Sequence, residues 1–392
     1  MGRGVVLVGA WTLAAAAAAP ARADGPITTT NYAIDFYEGV AIGNTAWVGM
    51  GGAGAALILG TAGTLINPSA PVVRTTTDPG NWSWDWHADY LNANGSTDYD
   101  NNGILVASGG AQLLTSGLGL RIKNWASAVT ISGQTSPLFN STPDVIDDLD
   151  ASALRVRFVL AKHIPSRDLA VGVGIQNVTF QVSEHDGDSL FTINGTGLVA
   201  GFTWVPQMEN FRVAGALESE ILGTEADTSG CDPLNCRGYI LPERAVSPAR
   251  AIGGFAYRHA KTRWNQTLDT RFRDEHSLTV TTDVLVTGSS PNAYGIEAFG
   301  LQQLQRSGRH TAISLRAGAE VEAIPGRLRL RTGSYWEPER FVDQGGRIHV
   351  TFGIELRVFE FWLIGKRRGR LSFTGDVASR YRNVAMSIGF WH

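Results

Sequence analysis

Apolar and polar positions alternate with a period of two along most of this chain, and the sharpest case is the stretch 327–338, Arg-Leu-Arg-Leu-Arg-Thr-Gly-Ser-Tyr-Trp-Glu-Pro. Side chains of a strand point alternately to opposite sides, so Arg327, Arg329, Arg331 and Tyr335 share one face while Leu328, Leu330, Thr332 and Trp336 share the other. Taken alone, this pattern fits a soluble sandwich as well as a membrane wall. What decides between them is whether the pattern recurs, and with what ends.

It does recur. From Asn81 onward, Trp82, Trp84, Trp86, Ala88 and Tyr90 alternate with Ser83, Asp85, His87 and Asp89, a broad aromatic face that is improbable in water. Leu154, Val156, Phe158 and Leu160 oppose Arg155, Arg157, Val159 and Ala161. Residues 168–184, 190–206 and 211–222 read as long strands, followed by 249–260, 276–287, 294–304 and 310–323. In 347–363, Val350, Phe352, Ile354, Leu356 and Val358 face away from His349, Thr351, Glu355 and Arg357. The basic run Lys366-Arg-Arg-Gly-Arg370 reads as a turn, and 383–392 ends in the aromatic pair Phe390-Trp391 of a closing strand. The expected total is about fourteen strands, an even number as single-chain bacterial barrels require.

The N-terminal part breaks the pattern. Residues 1–23 have the form of a secretory signal peptide, with Arg3, an apolar run and Ala21-Arg22-Ala23 as cleavage site. Residues 47–66 are nearly uncharged, yet glycines at 49, 51, 52, 54, 60 and 63 make a membrane helix costly, at roughly 1 kcal/mol each relative to alanine. Gly49-Met-Gly51-Gly-Ala-Gly54 matches a dinucleotide fingerprint only formally, because no βαβ unit surrounds it. A compact glycine-rich plug over 24–80, seated inside a barrel formed by 81–392, accounts for it better.

Chemistry is sparse. With 33 Lys and Arg against 36 Asp and Glu, the chain lacks the cation excess of a nucleic-acid binder. Cys231 and Cys236 are the two cysteines, and in an exported protein they are expected to bridge within the long irregular stretch 223–248. Asp98-Tyr-Asp100-Asn-Asn102-Gly103 imitates the start of a calcium loop, but Gly109 stands where its twelfth-position carboxylate belongs. Asp147, Asp148 and Asp150 read as solvated loop residues. No metal, cofactor or catalytic motif is present, so no enzyme is expected. Arg155, Arg157, Arg329, Arg331, Glu355 and Arg357 are the candidates to face a lumen, since an arginine at the lipid midplane costs about 2–4 kcal/mol.

Two stretches resemble the FadL-type outer-membrane transporters of long-chain fatty acids and aromatic hydrocarbons. The glycine-rich 41–70 with Gly49, Gly51 and Gly54, closing on Asn67-Pro68-Ser69-Ala70, is similar to that family's N-terminal hatch. Residues 327–340 and Arg347-Ile-His-Val-Thr-Phe-Gly-Ile-Glu355 are similar to its late strands. The resemblance implies an all-β transmembrane antiparallel β-barrel of the outer membrane, plugged by the hatch. It implies passive uptake of a hydrophobic small molecule, with lipid, lipopolysaccharide and the barrel-assembly machinery as partners. A non-transporting barrel of similar fold, structural or secretion-accessory, is the alternative.

Overall fold

The computed structural model describes residues 25–37, 39–73, 80–93, 98–103, 111–139, 148–184, 187–228, 230–266, 268, 272–341 and 344–391. The signal-peptide stretch 1–23 and Asp147 lie outside them.

Fourteen antiparallel strands close into a barrel. In chain order they are β1 Trp82–Asn92, β2 Gln112–Ile122, β3 Trp125–Phe139, β4 Asp148–Ile164, β5 Leu169–Glu184, β6 Ser189–Trp204 and β7 Phe211–Glu218. The second half comprises β8 Arg250–Ala260, β9 Ser277–Thr287, β10 Ala312–Ile324, β11 Leu328–Glu337, β12 Arg347–Trp362, β13 Lys366–Ala378 and β14 Tyr381–Phe390. Each pairs with its chain neighbour, and β14 closes on β1 from Val384↔Asn92 to Gly389↔His87. Closure leaves no sheet edge, the condition for a sheet to stand in hydrocarbon.

The alternation sorts the side chains as expected. On β11, Leu330, Thr332, Ser334 and Trp336 are exposed outward while Arg331, Tyr335 and Glu337 are buried inward. Outward positions elsewhere form a continuous apolar belt, with Leu198 64% exposed beside its ladder partner Ile175. Going up the wall from this pair, the outward residues become polar at Asn177 and Thr196, where the belt ends. Trp82, Trp125, Trp204 and Tyr257 gird its other margin. No described helix is long and apolar enough to cross a membrane; this chain crosses with strands.

One barrel end carries mostly tight turns. Asp168 takes the left-handed region there (φ 52°), which an aspartate tolerates. The other end carries long connections that are tied together by a five-stranded sheet. Its middle strand is Ala33–Asp35, from the N-terminal segment, running parallel to Arg244–Ser247 on one side and Ala293–Tyr294 on the other. The largest apolar core sits beneath this cap, around Phe180, Phe191, Tyr239 and Phe299, not in the middle of the barrel.

Several expectations need correction. Residues 294–304 form no wall strand; after Ala293–Tyr294 they make a short helix, Ile296–Gly300, in the cap. Lys366 to Arg370 is the start of β13, not a turn; Arg368 and Arg370 are buried because they face the lumen, and Arg367 because it lies over the Trp84 and Phe390 rings. Asp148 and Asp150 open β4. The chemistry-free outer loop expected over Glu337 to Gln344 after the strand at 327–336 begins one residue later, because Glu337 belongs to the wall, fully buried between Arg347 and His349. The expected strand 211–222 stops at Glu218, and Ile221–Leu222 joins the cap sheet.

Candidate functional site

The lumen is filled by 39–73, and the way its backbone is held defines the site. After the cap strand Ala33–Asp35 the chain descends through the helix α1, Thr45–Gly49, and the 3-10 turn Gly60–Gly63. Segments this short leave most amides without helical partners, so wall side chains must supply acceptors. Four do so. Asp89 Oδ1 accepts from Asn44 Nδ2 (2.9 Å) and the Thr45 amide (3.1 Å). Asp283 Oδ2 accepts the Gly54 and Ala55 amides at 2.7 and 2.9 Å. Asp85 Oδ2 accepts the Thr61 amide at 2.8 Å, and Thr351 Oγ1 accepts that of Gly51 at 2.9 Å.

The motif residues occupy the closest contacts. Gly51 has φ +64°, and a Cβ on it would stand 2.5 Å from the Ser334 nitrogen. Across the contact, a Cβ on Gly333 would stand 2.2 Å from the Gly51 nitrogen, so backbone meets backbone here. Gly49 offers its carbonyl to Thr351 Oγ1 at 3.2 Å, and Gly54 is the residue latched by Asp283. Asn67 Nδ2 donates to the Phe202 carbonyl and Thr203 Oγ1, at 3.0 and 3.1 Å, and the Pro68 carbonyl lies against Gly172.

The charged candidates fall into two groups. On the β10–β13 wall, Glu355 gathers Arg331 (2.9 Å), Arg370 (3.2 Å) and Arg329 (3.5 Å), while Glu320 and Glu322 take the other sides of Arg331 and Arg329. Arg329 and Arg331 each meet two carboxylates and Arg370 meets one, so three carboxylates stand against three arginines and the ladder compensates its own charge. On the β4–β8 wall, Arg157 donates to the hatch carbonyl of Thr64 at 2.8 Å and pairs with Glu218, which also holds Arg250. Arg155 stands beside it, half-buried, lining a cavity. Arg357 is not drawn into either group; at a bulge near the turn end it pairs with Glu360 at 3.1 Å. Cys231 and Cys236 are bridged, as expected, but in the cap and away from the lumen.

Three cavities flank the hatch. Under the cap, one is lined by Phe36, Tyr37, Tyr99 and Phe180. Sharing Gln134 and Ala153 with it, a second reaches Ile42, Trp47 and Leu65 beside Arg155 and Arg157. The third, of about 220 Å³, lies toward the tight turns against Leu57, Ile58 and Leu59. Asp85, Asp89, Arg212, Asp283 and Arg316 are site residues that sequence reading missed. Asp85 and Asp89 alternate with tryptophans, which was the one available signal; Asp283 and Arg212 sit singly in unremarkable strands. Among the described residues no group of three or more His, Cys, Asp or Glu is placed to hold a metal.

No protein-family model and no curated protein sequence matches the chain. Solved structures do. The CymD monoaromatic hydrocarbon channel superposes with a TM-score of 0.55 at 13% identity, covering 90% of this chain and 97% of its own. The toluene transporter TbuX of Ralstonia pickettii gives 0.52 at 13% identity, with 90% and 98% covered. A FadL homologue of Pseudomonas aeruginosa gives 0.51 at 13%, with 93% and 98% covered. Identities this low speak to architecture, and in architecture the chain has the fold of the FadL-type outer-membrane channels.

Proposed function

We propose that this protein is a passive channel of a Gram-negative outer membrane that carries hydrophobic small molecules, long-chain fatty acids or aromatic hydrocarbons, past a lumenal hatch. In this reading 1–23 is the export signal, 24–80 the hatch segment and 81–392 the barrel, with the tight turns in the periplasm and the cap outside. One observation carries it: cavities lie on both faces of the hatch, two between hatch and cap and one between hatch and turns, and each sets apolar side chains of the hatch segment, Phe36 and Tyr37, Ile42 and Trp47, or Leu57 to Leu59, beside polar and charged groups of the wall. A purely structural barrel gains nothing from such voids, since unfilled space forfeits packing.

The chemistry is one of partition. An apolar molecule enters the polar surface layer of an outer membrane poorly, and a protein-lined apolar route lowers that barrier without a covalent step, a cofactor or an energy source. The aromatic pocket under the cap receives it; the hatch sets the timing of its passage. Purified protein is expected to bind hydrocarbon or alkanoate, and deletion of its gene to slow their uptake. If the protein binds neither and uptake is unchanged, the channel reading is wrong and a structural or secretion-accessory role replaces it.

A further inference from the structure

Arg212, near the periplasmic start of β7, stands apart from the other lumenal arginines. It is 0% exposed, its Nε donates to Asn265 Oδ1 at 2.9 Å, and its guanidinium lies 4.0 Å over the Trp264 ring. Neither Nη1 nor Nη2 has a hydrogen-bond partner. Among the described residues the carboxylates of the β8–β9 connection are engaged elsewhere: Asp274 takes Arg368, and Glu275 takes Arg258 at 3.2 Å, Arg273 at 3.9 Å, and the Thr262 amide and hydroxyl. Arg258 and Arg273 therefore bring more positive charge, and burial together with the Arg258 charge pushes Arg273, in the β8–β9 turn, down to about 10.

A buried guanidinium with two idle nitrogens is costly, and other arginines of this lumen meet the cost with carboxylates or, at Arg316, with the hatch carbonyls of Gly39 and Gly52. Arg331 has Glu320 and Glu355, Arg368 has Asp274, and Arg157 has Glu218. Arg212 instead lines the 220 Å³ cavity, together with Arg258, Arg273, Trp264 and Phe272 and the hatch side chains Leu57, Ile58 and Leu59. A guanidinium edge beside an apolar surface is complementary to a planar two-oxygen anion carried on an apolar group.

We infer that Arg212 is the anchor of a periplasmic subsite for the carboxylate of an amphiphilic acid, whose apolar part lies along the hatch at Leu57 to Leu59. The two Nη groups donate to the two carboxylate oxygens, and Trp264 holds the guanidinium plane in place. The subsite rests on the channel reading and sharpens it: the molecule that leaves on the periplasmic side is held by its head, so acids are retained at the exit where neutral hydrocarbons are not.

The test is equilibrium dialysis of the purified full-length protein, in a non-ionic detergent at pH 7.5, with labelled octanoate and labelled octanol. Wild type is expected to bind octanoate at least tenfold more tightly than octanol. Arg212→Met keeps the stem against Trp264 and is expected to bring octanoate affinity down to that of octanol; Arg212→Lys retains part of the preference. Ligand-free Arg212→Met is also expected to melt no lower than wild type, because it removes an uncompensated charge, whereas an arginine with a purely structural role would lower the melting temperature when lost. Equal binding of acid and alcohol by wild type, or a preference that survives in Arg212→Met, overturns the subsite and leaves the channel standing. Binding of neither compound overturns both.

Discussion

Asp283, on β9, receives two consecutive hatch amides on a single carboxylate oxygen, that of Gly54 at 2.7 Å and that of Ala55 at 2.9 Å. Gly254 on the adjacent strand leaves the room in which this carboxylate lies, since a Cβ there would stand 2.2 Å from its other oxygen. A backbone segment with little helix of its own is thus fixed by an anion on the wall. Asp283→Ala removes two charge-assisted bonds and is expected to destabilise the seated hatch by about 2–4 kcal/mol, raising its unseated population roughly 30- to 1,000-fold. Conductance across a planar bilayer is expected to show frequent open events while the barrel still resists unfolding at room temperature in detergent. A variant as quiet as wild type would mean that Asp85, Asp89 and Asn67 hold the hatch without it.

Gly333 and Gly51 offer a second test, of steric fit. A methyl group on Gly333 meets hatch backbone at 2.2 Å, an approach that only a shift can relieve, whereas Gly253 on β8 has nothing within 4 Å of its Cβ position. Gly333→Ala is expected to cost about 1–3 kcal/mol or to displace the hatch, and Gly253→Ala to be near neutral. Comparing the temperatures at which the two variants lose their compact electrophoretic form checks this. Equal temperatures would show that hatch and wall do not meet at this point.

The lipid belt makes a third prediction. Leu198 and Ile175 face outward side by side between Trp204 and the polar pair Asn177 and Thr196. Val173, 59% exposed and one outward position nearer Trp204 than Ile175, stands midway between these margins, and Val173→Arg is expected to lower folding stability in phospholipid vesicles by about 2–4 kcal/mol, measured by urea titration. Arginine tolerated there at no cost would place the membrane elsewhere on the barrel.

Acidity governs the cap. Glu297 and Asp100 are held well above the usual carboxylate range, first by burial and then by neighbouring carboxylates, Asp100 acting on Glu297 and Asp98 on Asp100. Asn102 Nδ2 donates to Glu297 Oε2 at 2.7 Å, which works the other way and does not reverse the shift. Acids whose folded form holds its proton more tightly than the unfolded form stabilise the cap below the ordinary carboxylate range, and this contribution is lost as pH rises through their raised values. Cleavage at Tyr99 by chymotrypsin, corrected with a peptide standard, is therefore expected to accelerate as the pH is raised above the ordinary carboxylate range, and less so in Asp100→Asn. A rate that falls with pH would contradict the assignment.

Facing was legible in the sequence because it is local: a period of two sends Arg331 inward and Leu330 outward wherever the strand ends up. That local rule, with the aromatic rows and the glycine-rich 41–70, carried the reading to a plugged barrel of about fourteen strands. It failed where the inward position held no side chain or a misleading one. On β2, Gly117 and Gly119 face inward to make room for Thr61 of the hatch, which erases the alternation. On β13 the lumen-facing arginines look like a solvated turn until Asp274, Glu360 and Glu355 are brought to them from β12 and from the β8–β9 connection. Partner identity was decided by tertiary structure alone. Arg157 meets Thr64 across 93 positions and Asp283 meets Gly54 across 229, distances over which no spacing rule acts. That Arg212 finds no carboxylate among the described residues, while Arg157, Arg329 and Arg331 do, follows from barrel closure and the seat of the hatch, which together fix which charges share the enclosed volume.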